Sequence, residues 1–481
     1  MAVPWYAHWE VRTDGHNDNG GCFNPTRSGA TKTWDDNYTY GPSYMVVIYD
    51  GQPGNEPKLT PNGTALNQVR CDGGRAFVQA DVGHVIKITG GVNVTPGRYE
   101  ITSVSSGVAT LDANCWTSTS GSEAVARLGG AVAHPSEAIL NATSANFVWV
   151  KSGTYIFTST VSRDWNWLSL HIRGYSQSRL DMGTPPVFQA GAASITLLHT
   201  TSPYETFSGI WNIKFSGGGY AGVTGLGGQP ANQHMMYKCV FEGLSLGYYA
   251  TSSGFAVACT FINCSTGVRG GRVVCCSAVN CSTVGIEAHF AYCCTAIGCA
   301  VGFRSVLYGN GTFINCVARN CTGIGFDGNN SRGGAFINCV AVSCGGHGFR
   351  AHSRSHFTYN CIATNCSQYG FYFEPGDSNM HSMLAARLAG YANTSGNYGN
   401  ISTTWGFTPG LRQIFTESLI DLTQTPFESV PLGDLRLNNG PGGGMLCRGD
   451  KETAFGNLYN PDLGLERTFE DPPKIFVLED D

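Results

Sequence analysis

Between Cys239 and Cys366 only three residues carry a carboxylate: Glu242, Glu287 and Asp327. Glycoside hydrolysis needs two carboxyl groups at a set separation, one held protonated as the acid. Glu287 and Asp327 are the pair this stretch offers for that chemistry. Each follows a glycine and an apolar residue, Gly285-Ile286 and Gly325-Phe326, so the two repeat one position rather than converge on one bond. The full series at that position is Arg269, Glu287, Arg304, Asp327, Arg350, Tyr372. In extended backbone the residue before it points inward, so this series points outward. An outward column of alternating sign reads as a ladder of exposed ion pairs, each worth about 0.2–1 kcal/mol. Flanking arginines favour ionised carboxylates, whereas a general acid must be held protonated. The ladder through Arg269, Arg304 and Arg350 is therefore the expected arrangement, and the catalytic pair is its alternative.

Three histidines, His347, His352 and His356, are the candidates for a metal. A loop could bring them together, but histidines facing solvent or a neighbouring subunit are the expected outcome. The Cys-x4-Cys spacing is wider than that of zinc pairs, which come in closed sets of four. No metal and no cofactor is assigned. Gly217-Gly-Gly219 and Gly225-Leu-Gly-Gly228 bracket no strand-to-helix step, so they read as turns rather than phosphate loops.

The elements that carry these residues follow from a repeat. Cys276-Ser-Ala-Val-Asn-Cys281, Cys294-Thr-Ala-Ile-Gly-Cys299, Cys316-Val-Ala-Arg-Asn-Cys321, Cys339-Val-Ala-Val-Ser-Cys344 and Cys361-Ile-Ala-Thr-Asn-Cys366 lie over one another. Cys259-Thr-Phe-Ile-Asn-Cys264 is a looser copy, and the leading cysteines are spaced 17, 18, 22, 23 and 22 residues apart. Short β-type runs broken at Asn and Gly with this period mark a β-solenoid. Phe313, Cys316 and Ala318 fall inside, with Asn315 at a bend that needs the left-handed conformation Asn tolerates. Asn263, Asn280, Asn320, Asn338, Asn360 and Asn365 precede cysteines in the same way. The expected fold is all-β, a right-handed parallel β-helix, with Cys276, Cys294, Cys316, Cys339 and Cys361 stacked in one buried column.

The 481 residues make a long single core, and a net charge of -5 draws the chain toward neither nucleic acid nor anionic membrane. No apolar run reaches a membrane span, and the opening residues show no export signal, so assembly in a host cytoplasm is expected. An odd count of 19 cysteines, 15 of them between 239 and 366, agrees with buried thiols in a reducing compartment.

Five segments are expected. Residues 1–74 form an aromatic, loop-rich cap or docking segment. Residues 75–128 form a small inserted antiparallel β-module, Phe77 to Ile88, Arg98 to Val104 and Val108 to Asp112 being its strands. Residues 129–375 form the β-helix, starting with a short helix at Pro135–Ala142. Residues 376–450 are an irregular region and closing coil, with Met380 to Tyr391 read as helical. Residues 451–481 are an acidic tail in which Ile475–Leu478 is a short β-type run.

That helix, the strand Phe147–Val150, Lys151-Ser-Gly-Thr-Tyr155 and Leu168–Tyr175 resemble the opening coils of pectate-lyase-like β-helix proteins. Trp9-Glu-Val-Arg12, the 75–128 module and the closing Gly433–Leu437 with Gly442-Gly-Gly444 resemble β-helix proteins of phages and bacteria. The resemblance spans most of residues 9–450 and implies fold more than function, because one solenoid serves lyases, hydrolases and inert spikes. The lyases of that family use clustered acidic calcium ligands and an arginine base, and no acid cluster at solenoid spacing matches them here. The expected role is a structural virion surface protein, a capsid decoration or tail spike, homotrimeric by resemblance and in contact with other virion proteins. A polysaccharide-binding or polysaccharide-degrading tail spike, meeting a host surface glycan, is the alternative. A bacterial surface or fibre-forming protein is the third.

Overall fold

The structure is a computed structural model. It describes residues 7–30, 58–72, 76–143, 146–163, 170–179, 181–200, 208–228, 234–250, 254–306, 310–328, 333–351, 356–373 and 384–399, with short pieces between 413 and 437. Most aromatic residues expected to cap the chain (Trp5, Tyr6, Trp34, Tyr38, Tyr40, Tyr44), His352 and the acidic tail lie outside the described residues. The chain is a right-handed parallel β-helix, divided into two compact units: Met1–Tyr220 with Ala231–Cys239, and Ala221–Pro230 with Val240–Asp481.

The first unit opens on a strand, His8–Val11, that pairs in parallel with Phe147–Lys151 and antiparallel with Cys22–Phe23. All four of its residues are buried. Trp9 and Val11 are fully buried on the inner side of the solenoid sheet, so Trp9-Glu-Val-Arg12 belongs to the solenoid rather than to a loop. A closed antiparallel barrel is inserted behind it, built from Lys58–Asn62, Ala65–Asp72, Val85–Val92, Gly97–Ser105, Val108–Leu111 and Glu123–Leu128. Two of these strands come from ahead of residue 75, because Leu59 and Val69 fill the same small core as Ile86, Tyr99 and Ile101. The barrel is held to the following helix, Pro135–Asn141, by Arg98 at 2.7 Å and Lys87 at 3.2 Å from Glu137. His134 caps that helix, accepting from the Ser136 N–H at 3.2 Å.

In the second unit a coil typically has three short strands, the first two running on as one in His356–Thr364. One coil is Asn310–Ile314, Val317–Arg319 and Phe326–Asp327. Each pairs in register with the coil after it: Phe313 with Phe336, Ala318 with Ala341, Phe326 with Phe349. Parallel pairing in register places like on like, so Phe303, Phe326, Phe349 and Phe371 stack nearly flat at 4.7–4.9 Å. The corners follow the sequence closely. Asn263, Asn280, Asn315, Asn320, Asn338, Asn360 and Asn365 all adopt positive φ near 50–55°. Phe313, Cys316 and Ala318 are fully buried, as their alternation demands.

The glycine before each apolar residue has a steric cause. A Cβ on Gly325 would lie 2.6 Å from the Gly348 carbonyl oxygen and 3.1 Å from Cys344 Sγ. No larger residue fits between those coils.

Cys276, Cys294, Cys316, Cys339 and Cys361 are buried thiols. Each sulfur reaches a carbonyl two residues back, as in Cys316 Sγ to Ile314 O at 3.3 Å, and one on the coil before, Ala291 O at 3.7 Å. Burial pushes the Cys276, Cys316 and Cys361 thiols well up from their ordinary range.

Residues 384–391 form a strand, Leu384–Tyr391, not a helix, and pair with His356–Thr364. Leu388 and Ala389, both fully buried, follow the column of Cys361 and Ile362. Ala-rich composition favours helix in isolation, but an in-register edge already exposing its N–H and C=O groups decides otherwise.

Coil length varies most between the third strand of one coil and the first strand of the next. Only His289 separates Val284–Ala288 from Phe290–Tyr292, whereas 306–309, 328–332 and 352–355 separate the corresponding strands of later coils.

Two outcomes are expected. Asn320, exposed at its left-handed corner with φ +52°, should accept glycine with little change, while Asn320→Val should cost about 1–2 kcal/mol in denaturant unfolding. Thiol titration of the native protein should leave Cys276, Cys294, Cys316, Cys339 and Cys361 unlabelled.

Candidate functional site

The alternating column of the second unit forms by register: Arg269 beside Glu287, Glu287 beside Arg304, Arg304 beside Asp327, Asp327 beside Arg350, Arg350 beside Tyr372. Arg350 holds Asp327 through two hydrogen bonds of 3.0 and 2.9 Å, and Arg304 approaches from the other side at 3.4 Å. Arg269 meets Glu287 at 3.4 Å. The carboxylates are not exposed, however, although Arg269 is. Asp327 is 1% and Glu287 8% accessible, because the arginine side chains of adjacent coils lie across the carboxylates. A value set for exposed pairs does not describe them: removing one partner of a buried pair leaves the other charge desolvated.

Register places Glu287 and Asp327 two coils apart, about 9.6 Å along the stack. Arg304 lies between them. Neither carboxylate faces another carboxylate, and both face guanidinium groups, an arrangement suited to holding coils together rather than to delivering a proton.

His347 stacks flat on Tyr372 at 4.4 Å and on Tyr369 at 6.0 Å. His356 begins the strand His356–Thr364, opposite Gly334. Among the described residues no three His, Cys, Asp or Glu side chains are grouped to hold a metal ion.

Sequence reading missed the outer face of the first unit. Val148, Val150, Ile172 and Ile210 point inward and are fully buried. Their neighbours point the other way, in two rows. Trp149 lies beside Arg173, Arg173 beside Trp211, and Trp211 beside Tyr237; Phe147 lies beside His171. The Arg173 guanidinium sits 4.5 Å from the Trp211 ring centre, 5.3 Å from Phe147 and 5.7 Å from Trp149. His171 stacks on Phe147 at 4.8 Å. Trp211 lies back over Gly209, where an added Cβ would fall 1.8 Å from the indole. A glycine there lets the ring lie flat along the sheet. Phe147, His171, Arg173 and Trp211 are each partly exposed.

The row is anchored at its end by a buried cluster. Arg179 forms a two-pronged ion pair with Glu10 at 2.8 and 3.1 Å, the Tyr175 hydroxyl donates to Glu10, and Trp149 Nε1 donates to His8 Nδ1 at 3.3 Å. Burial raises the Glu10 carboxyl against the pull of Arg179 and the Tyr175 hydroxyl. Burial, with Arg179 and Arg173 close by, lowers His8 to about 3, so its Nδ1 is an acceptor at neutral pH. Glu10 is fully buried and reaches no solvent. Its role is to lock the first strand under Trp149.

No family model matches the chain, and no curated protein matches it. Among solved structures, the periplasmic alginate epimerase is similar over 56% of this chain and 75% of its own, at 11% identity and a TM-score of 0.34. A protein of Geobacillus virus E2 covers 53% of this chain at 13% identity with a TM-score of 0.30, and the Dettilon tailspike protein 55% at 11% with 0.29. The matched stretch is 52% of the former protein and 63% of the latter. All three are right-handed β-helix proteins.

Glu10→Gln should cost about 3–5 kcal/mol, since it leaves Arg179 buried without its counter-charge. Burial holds His8 near 3 and His234 near 4, below their ordinary 6.5. A lowered histidine contributes stability above 6.5, and that contribution is lost as pH falls from 6.5 toward 4 while the unfolded chain takes up protons. Urea midpoints measured between pH 7 and pH 5 should fall, and the fall should be shallower in His234→Asn.

Proposed function

We propose that this protein is a surface attachment element of the tail-spike type, a rigid β-helix that holds a polysaccharide without cutting it. The observation that carries the reading is the outward pair of Arg173 and Trp211, both partly exposed and flanked by Phe147 and His171, with Trp149 buried at the start of the row. A flat indole offers a face for the C–H side of a sugar ring, and a guanidinium beside it offers paired donors for a sugar carboxylate. A strand-to-strand spacing near 4.8 Å sets these groups on a regular line, which suits a polymer better than a single small molecule. The engagement of Glu287 and Asp327 by arginines supports binding without hydrolysis. Location on a virion surface and assembly as a homotrimer belong to the same proposal, supported by the phage-like opening and closing coils of the sequence.

Titration of intrinsic tryptophan fluorescence with a polyuronate such as alginate, against neutral dextran, tests it. Quenching by the polyuronate alone is expected, weakened at least tenfold by Arg173→Gln and by Trp211→Ala, with no new reducing ends. Binding to neither polymer would overturn the reading. So would cleavage that Asp327→Asn or Glu287→Gln abolishes in a folded protein.

A further inference from the structure

The first corner of each coil in the second unit is a left-handed residue ahead of the buried cysteine. Three consecutive coils fill it with Asn315, Asn338 and Asn360. The two coils before them carry cysteine instead: Cys275 and Cys293, both with φ +52°. Left-handed backbone is natural for asparagine and costly for cysteine, so these are the two places in the column where composition departs from local preference in favour of a sulfur.

The corners stack. Val274 is in register with Tyr292, and the Cys275 N–H donates to the Tyr292 carbonyl at 2.9 Å, which sets Cys275 directly over Cys293. Their Cα atoms are therefore about one strand spacing apart, roughly 4.8 Å, inside the range of about 4.4–6.8 Å that a disulfide spans. Side chains at this corner reach one another. Further along the column Asn360 Nδ2 donates to Asn338 Oδ1 at 2.8 Å. Unlike Cys276 and Cys294 beside them, Cys275 and Cys293 are only half-buried. Cys293 is also close enough to help raise the Cys275 thiol, after burial, to about 11.

We propose that Cys275 and Cys293 are an oxidative modification site, closed into an inter-coil disulfide by a small-molecule disulfide such as oxidised glutathione. The Cys275 thiolate attacks one sulfur of the oxidant, breaking its S–S bond and releasing one glutathione thiolate. The Cys293 thiolate then attacks Cys275 Sγ in the mixed disulfide and expels the second glutathione. Two protein thiols are oxidised, one glutathione disulfide is reduced to two thiols, and the two protons lost from the cysteines are taken up by the glutathione thiolates. The bond ties neighbouring coils after folding, where the buried cysteine column stays reduced. The inference does not rest on glycan binding.

The test treats the folded, full-length chain with oxidised glutathione, blocks remaining thiols, and digests without reduction using chymotrypsin, which cuts after Phe290 and Tyr292 between the two cysteines. Mass spectrometry should find peptides joined through this pair, with no glutathione retained and two fewer titratable thiols. Cys275→Ala and Cys293→Ala, checked for fold by circular dichroism, should each keep a single glutathione on the remaining corner cysteine. That result separates the corner pair from adjacent Cys276 and Cys294. The oxidised wild type should melt several degrees above the reduced form, and neither variant should show that rise. Separate glutathione adducts on both corner cysteines of the wild type would overturn the proposal. So would linkage to another cysteine, or no reaction at either.

Discussion

Parallel pairing of each coil with the next, residue against residue, is the constraint everything else obeys. Backbone N–H groups of one coil bond to carbonyls of its neighbour, as in Phe326 N–H to Gly348 O at 2.9 Å and Val317 N–H to Cys294 O at 2.9 Å. Such a ladder leaves no freedom of register. A position is therefore chosen for what it does beside its own repeat. Phenylalanines stack because rings of one size lie flat on one another, and glycines recur because the backbones above and below leave no space for a Cβ. In the charged column, like beside like would repel, so the same constraint makes the sign alternate.

This constraint explains how much of the molecule could be read in advance. From Cys259 to Cys366 the repeat shows in the letters, and its inward residues, asparagine corners and charged column all follow from alternation and stacking. What alternation could not supply was depth. Asp327 points outward yet is buried, because long arginine side chains on adjacent coils fold over it. Facing away from the core and facing water are different properties in a stack whose neighbours carry long side chains.

The outer row of the first unit was legible only in part. Phe147-Val-Trp149-Val150 reads as a strand, but no cysteine repeat aligns it with His171-Ile-Arg173 or Gly209-Ile-Trp211. Only the register brings Trp149, Arg173 and Trp211 together. Glu10 and Arg179 are farther still from recognition, 169 residues apart in the chain. The misread segment, residues 384–391, failed for the opposite reason: its local letters were clear, and a neighbouring strand outweighed them.

Coil length varies most at the junction between the third strand of one coil and the first strand of the next, from a single residue at His289 to the longer spans at 306–309 and 328–332. Everything inserted there leaves the three hydrogen-bonded rows and the inward columns untouched. For a lineage under pressure to change what it touches, that edge is where residues can be added or removed without a new core having to be found. The remainder of each coil is held by its neighbours above and below, and changes slowly because no coil can change alone.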